Sequence, residues 1–134
     1  MLPYQRSDII SVLIVDDHEL TRFTLKLALN TQKDIRIIGL ASNGKEAIEM
    51  VDRHRPDVIV LDLQMPVMDG LSASTRIKDI KPNTQIIVYS SLEDPQTEGM
   101  IESGQIDAFC KKDTPTETLV ELVKQHGRQA VKSK

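Results

Sequence analysis

Three short runs in which nearly every residue is apolar and most are β-branched constrain this chain more than anything else in it. They are Val12-Leu13-Ile14-Val15, Val58-Ile59-Val60-Leu61 and Ile86-Ile87-Val88-Tyr89. A strand with one wet face alternates apolar and polar residues. A run without alternation needs apolar surroundings on both faces, as in a parallel sheet covered by helices on either side. Ile35-Arg36-Ile37-Ile38-Gly39-Leu40 and Ile106-Asp107-Ala108-Phe109-Cys110 complete a set of five runs.

The stretches between the runs read as helices. Leu20, Phe23 and Leu27 lie at helical spacing. Asn43 with Glu46 predicts a capping box, followed by Ala47, Ile48 and Val51 on one face, with Pro56 as the stop. Leu71, Ile77 and Ile80 mark a third helix, closed by Lys81-Pro82-Asn83. Asp94-Pro95 opens a fourth, expected to be the weakest because it holds Gly99 and few apolar residues. Thr114-Pro115-Thr116-Glu117 starts a fifth, with Thr114 as cap, Pro115 at the first helical position, and Leu119, Leu122 and Val123 as its apolar stripe. Five β-α units in alternation predict an α/β fold: a mainly parallel sheet with helices on both faces. Residues 1–10 read as an N-terminal tail, 11–126 as one domain, and 127–134 as a basic tail or the start of a linker.

Composition narrows the function classes. The 134 residues suffice for one domain with a real core, and 2 Tyr, 2 Phe and no Trp make that core aliphatic. With 17 basic and 20 acidic residues the net charge is -3, which gives no sequence-wide attraction to nucleic acid or anionic lipid. The single cysteine, Cys110, excludes an internal disulfide and a cysteine-based metal cluster. No run approaches the roughly 18 apolar residues of a membrane span, and the N-terminus carries no secretory pattern. The expectation is a reduced, cytoplasmic protein with no membrane partner.

In an open parallel sheet, ligands bind beyond the carboxyl ends of the strands. Those ends carry Asp16, Asp17, His18 and Glu19 after the first run and Asp62 with Leu63-Gln64-Met65-Pro66 after the third. Ser90 and Ser91 follow the fourth, and Lys111, Lys112 and Asp113 the fifth. If the first and third strands are neighbours, Asp16, Asp17 and Asp62 converge, and three clustered carboxylates call for a positive partner. A hard divalent cation fits: Mg²⁺, with Mn²⁺ as the alternative, takes carboxylates, a backbone carbonyl and waters and leaves room for a phosphate oxygen. A lysine and a hydroxyl from the other strands would complete a phosphoryl site, and a carboxylate can itself act as nucleophile.

These pieces, in this order and spacing, resemble the receiver domain of two-component response regulators from about Ser11 to Gln125, most closely the NarL/FixJ-type subgroup. The carriers are Val12–His18, Val58–Gly70, Ile86–Ser91 and Phe109–Asp113. The resemblance implies a flavodoxin-like (βα)5 fold with strand order 2-1-3-4-5. It implies that Asp62 is the phosphoacceptor for a sensor histidine kinase. Asp17 would bind Mg²⁺ directly, Asp16 mostly through water, and the Gln64 carbonyl would be a further ligand. Lys112 and Ser90 would contact the phosphoryl oxygens, with Ser90 and Phe109 as the switch pair that reshapes the face of the fourth helix, fifth strand and fifth helix. Gln64 and Leu92 would tune phosphoryl lifetime. The subgroup usually adds a C-terminal DNA-binding domain, so contact with DNA and control of transcription would belong to a part not present here. Dimerisation on phosphorylation is a further expectation. The chain departs from the family at Lys111, where an apolar residue is usual, and at Ser103-Gly104-Gln105.

Blander readings compete residue by residue. A lone aspartate at a strand end is usually a cap or a turn residue; the company of Asp16, Asp17, Ser90 and Lys112 disfavours that for Asp62. His18 reads as a first-turn surface residue, because Mg²⁺ prefers oxygen. As an aspartyl phosphohydrolase the chain would need an acid two residues after Asp62 and has Gln64, so a turnover enzyme is not expected. A flavin or nucleotide carrier would need Gly, Ser or Thr where Asp16-Asp17-His18-Glu19 stands. A pseudo-receiver for protein contacts alone would have lost acidic residues that this chain keeps.

Overall fold

The structure is a computed structural model that describes residues 9–65, 68–91 and 95–132. Five strands, β1 (Ile10–Val15), β2 (Ile35–Ala41), β3 (Val58–Leu61), β4 (Gln85–Ser90) and β5 (Ala108–Lys111), alternate with helices α1 (Glu19–Asn30), α2 (Gly44–His54), α3 (Gly70–Ile80), α4 (Gln96–Glu102) and α5 (Thr116–Lys132). All strand pairs are parallel and the sheet order is β2-β1-β3-β4-β5. This is the flavodoxin-like arrangement expected from the sequence.

The unbroken apolar runs have a direct structural cause. Successive strand side chains point to opposite faces. Val12 and Ile14 of β1 join Val58, Val60, Ile87 and Tyr89 under α1 and α5. Leu13 and Val15 join Ile59, Leu61, Ile86 and Val88 under α2, α3 and α4. Every residue of β3 is at most 1% exposed, and burial of each such side chain stabilises the fold by roughly 1.5–3 kcal/mol.

Local signals set the helix limits. The Asn43 side chain accepts from the Glu46 N–H at 2.9 Å. The Glu46 carboxylate reaches back to the N–H and hydroxyl of Ser42, one residue before the cap. Those bonds hold its pKa below the usual carboxylate value, the Ser42 hydroxyl having the largest effect. α2 stops ahead of Pro56, with Arg55 in the left-handed region at φ 49°. Asp69 caps α3 by accepting from Ser72 N at 2.8 Å. α4 spans 7 residues and has no side-chain cap, in line with its poor sequence signals.

Leu20, Phe23 and Leu27, whose helical spacing marked α1, are 76%, 55% and 54% exposed, and Leu25 and Leu29 pack into the core. Three expectations are corrected. The chain does not leave the fold at Gly127. α5 continues to Lys132, and Gly127 lies so close to β1 that a Cβ there would stand 2.5 Å from Ile10 Cγ2. Ile10, assigned above to the tail, opens β1, is buried and donates from its N–H to Asp34 O at 2.7 Å. α5 also starts at Thr116, one residue beyond Pro115.

Candidate functional site

Strand register creates the site. β1 and β3 are neighbours with Val15 opposite Leu61, so the residues that follow, Asp16 and Asp62, emerge side by side at the carboxyl edge. Asp62 N donates to Val15 O at 2.9 Å and Asp16 N to Ala41 O at 3.0 Å, pinning both backbones to the strands beside them. On the other side, Ser90 ends β4 opposite Lys111, and Lys112 N donates to Ser90 O at 2.9 Å. Chain reversal after β5 then swings Lys112, and not Lys111, toward the acids.

The Lys112 ammonium lies 2.7 Å from Asp16 Oδ2 and 3.6 Å from Asp62 Oδ2. Both aspartates are almost fully buried. Asp62 Oδ1 accepts from the Gln64 N–H at 3.1 Å. Burial pushes the Asp62 carboxyl above its usual pKa. The Gln64 hydrogen bond and Lys112 pull the other way, while the charges of Asp16 and Asp17 add to the rise. Burial alone would lower the pKa of Lys112, but the hydrogen bond to Asp16 and the charges of Asp62 and Asp16 outweigh it, so it is raised and the ammonium form is favoured. The Lys112 ammonium also stands 5.8 Å from the centre of the Tyr89 ring, within cation-π range.

The loop carrying the first two acids is fastened at several points. His18 N donates to Asp16 Oδ1 at 2.8 Å, and Arg22 donates to the Asp16 carbonyl at 2.6 Å. The loop after Asp62 is fastened by contact: a Cβ on Gly70 would stand 2.5 Å from Asp62 O and 2.7 Å from Leu63 Cα. Only glycine lets the start of α3 rest against the backbone that bears Asp62.

The donor set fits a divalent cation. Asp16, Asp17, His18 and Asp62 each offer one atom, all within 4.8 Å of one another. Asp17 Oδ1 is buried and accepts no hydrogen bond, an expensive state for a carboxylate oxygen that a cation would relieve.

The structure thus gathers four of the predicted residues, Asp16, Asp17, Asp62 and Lys112, into one pocket. Ser90 is buried at the same edge. Phe109 pairs in register with Val88 and is half-buried against the core under α3 and α4. Gln64 is exposed, and its N–H faces the Asp62 carboxylate. Leu92 and Pro66 lie outside the described residues. Sequence reasoning missed three contributors: His18 within the acidic cluster, Arg22 on the Asp16 carbonyl and Tyr89 beside Lys112. Only His18 carried a signal, its place next to the acid pair. The contacts of Arg22 and Tyr89 depend on how α1 and β4 pack.

An acidic pocket with one half-buried lysine, at the switch-point edge of a doubly wound sheet, defines a class of proteins that handle phosphoryl groups. Comparison with known proteins is specific. The family model of the response regulator receiver domain matches residues 12–124, and the chain belongs to that family. It is 36% identical over 120 residues to the response regulator protein VraR of Staphylococcus aureus, a match covering 89% of this chain and 57% of that protein. The chain therefore spans little more than half the length of this curated relative. Among solved structures, the signal receiver domain of the putative response regulator NarL from Mycobacterium tuberculosis superposes with a TM-score of 0.83 at 26% identity, covering 90% of this chain and 98% of that one. CheY in the CheX-CheY-BeF3-Mg complex of Borrelia burgdorferi gives 0.78 at 28% identity, covering 87% of each chain. The relatives include the NarL type that the sequence resembles. Response regulators are signalling proteins of two-component systems. Among the described residues no helix is long and apolar enough to cross a membrane.

Proposed function

We propose that this chain accepts a phosphoryl group on Asp62 from a sensor histidine kinase and passes the change to a partner through α4, β5 and α5. An Asp62 oxygen attacks phosphorus, the P–N bond to the donor imidazole breaks, and the leaving nitrogen regains a proton. Asp62 then carries an acyl phosphate. The observation that carries this reading is the position of Asp62 between Lys112 and the Asp16-Asp17 pair. Lys112 supplies positive charge where phosphoryl oxygens would lie, and the Gln64 N–H orients the nucleophile. Mg²⁺ or Mn²⁺, held by Asp16, Asp17, Asp62 and the Gln64 carbonyl, would neutralise charge between the acids and the incoming anion. The BeF3-Mg complex of the similar CheY supports that assignment by analogy.

Ser90 and Phe109 are the proposed switch pair. Their buried and half-buried places at the end of β4 and in β5 suit a repacking that reaches α4, the shortest helix described. Water later hydrolyses the acyl phosphate, so the domain returns to rest by itself and is not a turnover enzyme. The donor is a protein: Leu20, Phe23 and Leu27 leave an apolar face exposed on α1, directly after the acid pair. Together with Glu19, Arg22, Lys26 and Leu40, Leu20 and Phe23 line an open depression of about 580 Å³. The NarL-type relatives support transcription as the output, through a DNA-binding domain that these residues do not contain, with dimerisation on phosphorylation. Labelling with acetyl phosphate, read on a phosphate-affinity gel, tests the site. The parent should shift and Asp62→Asn should not; a labelled Asp62→Asn sinks the assignment.

A further inference from the structure

His18 brings an imidazole to a pocket otherwise built from carboxylates and a lysine. Its Nδ1 is 3.1 Å from Asp16 Oδ1 and 3.1 Å from Asp17 Oδ1. With metal–ligand bonds of about 2.1 Å, neighbouring ligands of an octahedral or tetrahedral ion stand about 3.0–3.4 Å apart. The imidazole nitrogen is therefore spaced from each of the two oxygens as an adjacent ligand would be. The Asp16 carboxylate divides the pocket: Oδ2 takes the Lys112 ammonium, and Oδ1 faces His18. Asp17 Oδ1, as close to the imidazole as Asp16 is, accepts no hydrogen bond and keeps its lone pairs. No two ligand atoms of the four-residue set are more than 4.8 Å apart, against about 4.2 Å across a shell with bonds of that length. Closing the shell takes well under an ångström of side-chain movement, and the His18 ring, 67% exposed, is free to make it.

We propose that His18 is a metal ligand, and that with Asp16, Asp17 and Asp62 it makes this pocket a site for an imidazole-preferring divalent transition ion of the Ni²⁺ and Zn²⁺ class, in competition with Mg²⁺. The inference rests on the reading of the pocket as a cation site and adds a second class of ion to it. With the imidazole proton on Nε2, the Nδ1 lone pair is available for coordination. Mg²⁺ gains little from an imidazole and retains water instead. Ni²⁺ and Zn²⁺ bind imidazole well and outrank earlier divalent ions at a mixed nitrogen and oxygen site.

The test is calorimetric titration of the tag-free chain with NiCl2 and, separately, with MgCl2. Because the ring is largely exposed, His18→Ala should fold. His18→Asn keeps a hydrogen-bond donor for Asp16 but removes the imidazole. Both variants should weaken Ni²⁺ at least tenfold and leave Mg²⁺ within twofold, while Asp17→Asn should weaken both ions. His54 and His126 remain in every variant, so Ni²⁺ affinity unchanged by either His18 substitution overturns the proposal. So does loss of Ni²⁺ in His18→Ala but not in His18→Asn, which would mark a hydrogen-bonding role. Ni²⁺ binding that survives Asp17→Asn makes His18 an isolated surface imidazole and overturns the shared site. Failure of the parent to bind Mg²⁺ would instead refute the cation reading itself.

Discussion

Asp62→Asn should make the metal-free protein more stable, although it removes the proposed phosphoacceptor. The Asp62 ligand atom is within 4.8 Å of those of Asp16 and Asp17. Two like charges at that separation repel by about 3.5 kcal/mol at an effective dielectric constant near 20. The Lys112 ammonium at 3.6 Å returns about 4.6 kcal/mol on the same scale. Two repulsions therefore exceed one attraction. Asp17 is 29% exposed, so solvent screening removes part of its share. What remains, together with the cost of desolvating a third carboxylate, is on the order of 1–2 kcal/mol in favour of the neutral amide. The amide oxygen can still accept from Gln64, and Lys112 keeps its 2.7 Å contact with Asp16.

The assay is thermal unfolding followed by far-ultraviolet circular dichroism, in EDTA and then in MgCl2. A gain of 1–2 kcal/mol raises Tm by about 2–10 °C for a chain of this size. The pH dependence fixes the cause. Asp62 has a raised pKa in the folded state, so the folded protein binds this proton more tightly than the unfolded chain does. Its contribution therefore falls as pH rises from the unfolded value through the folded one, and the loss is complete above the folded pKa. The parent should lose stability across that window and Asp62→Asn should lack this loss, so the two curves diverge as pH rises. Mg²⁺ at ten times its Kd adds about 1.4 kcal/mol to the parent and should add less to the variant, which has lost one acid. A variant that melts at or below the parent in EDTA, or an equal Mg²⁺ effect on both, refutes the picture of net repulsion relieved by a cation.

Gly70→Ala should cost stability despite the better helix former, because the new methyl meets backbone on both sides. Overpacking of this kind costs about 1–3 kcal/mol, against at most about 1 kcal/mol of helix propensity. Urea unfolding should show the loss, acetyl phosphate labelling of Asp62 should slow, and an unchanged midpoint would mean that α3 moves aside freely. Leu92→Glu should shorten the life of the acyl phosphate several-fold, since a carboxylate can position water and leucine cannot; a decay that is unchanged or slower contradicts the role given to that position.

The parts of the fold that were legible in the sequence are those in which one physical demand acts alone. A strand covered on both faces must be apolar at every position, so β1, β3 and β4 declared themselves and with them the parallel sheet. Asp62 and the Asp16-Asp17 pair were legible because strand ends in such a sheet meet at one edge, whatever the helices do. Which face of α1 turns inward was not legible, because two demands act on it at once. Leu25 and Leu29 form one stripe, and Leu20, Phe23 and Leu27 form another on nearly the opposite side of the helix. Both satisfy the 3.6-residue period, and periodicity cannot say which of two stripes faces the core. Gly127 was misread for a related reason. Glycine in a helix usually marks an end, but here it is required in the interior, because Ile10 of β1 occupies the space a side chain would need. A long-range contact has no local signature. His18 shows the same limit at the site. Taken alone next to two aspartates it reads as a surface residue, and only the fold, by turning its ring to 3.1 Å from both carboxylates, gives it the spacing of a ligand. Phe23 and His18, whose surroundings only the fold reveals, thus both lie in the first turns after β1. There the chain leaves the rules of the core and presents apolar surface and candidate ligand atoms to whatever approaches Asp62.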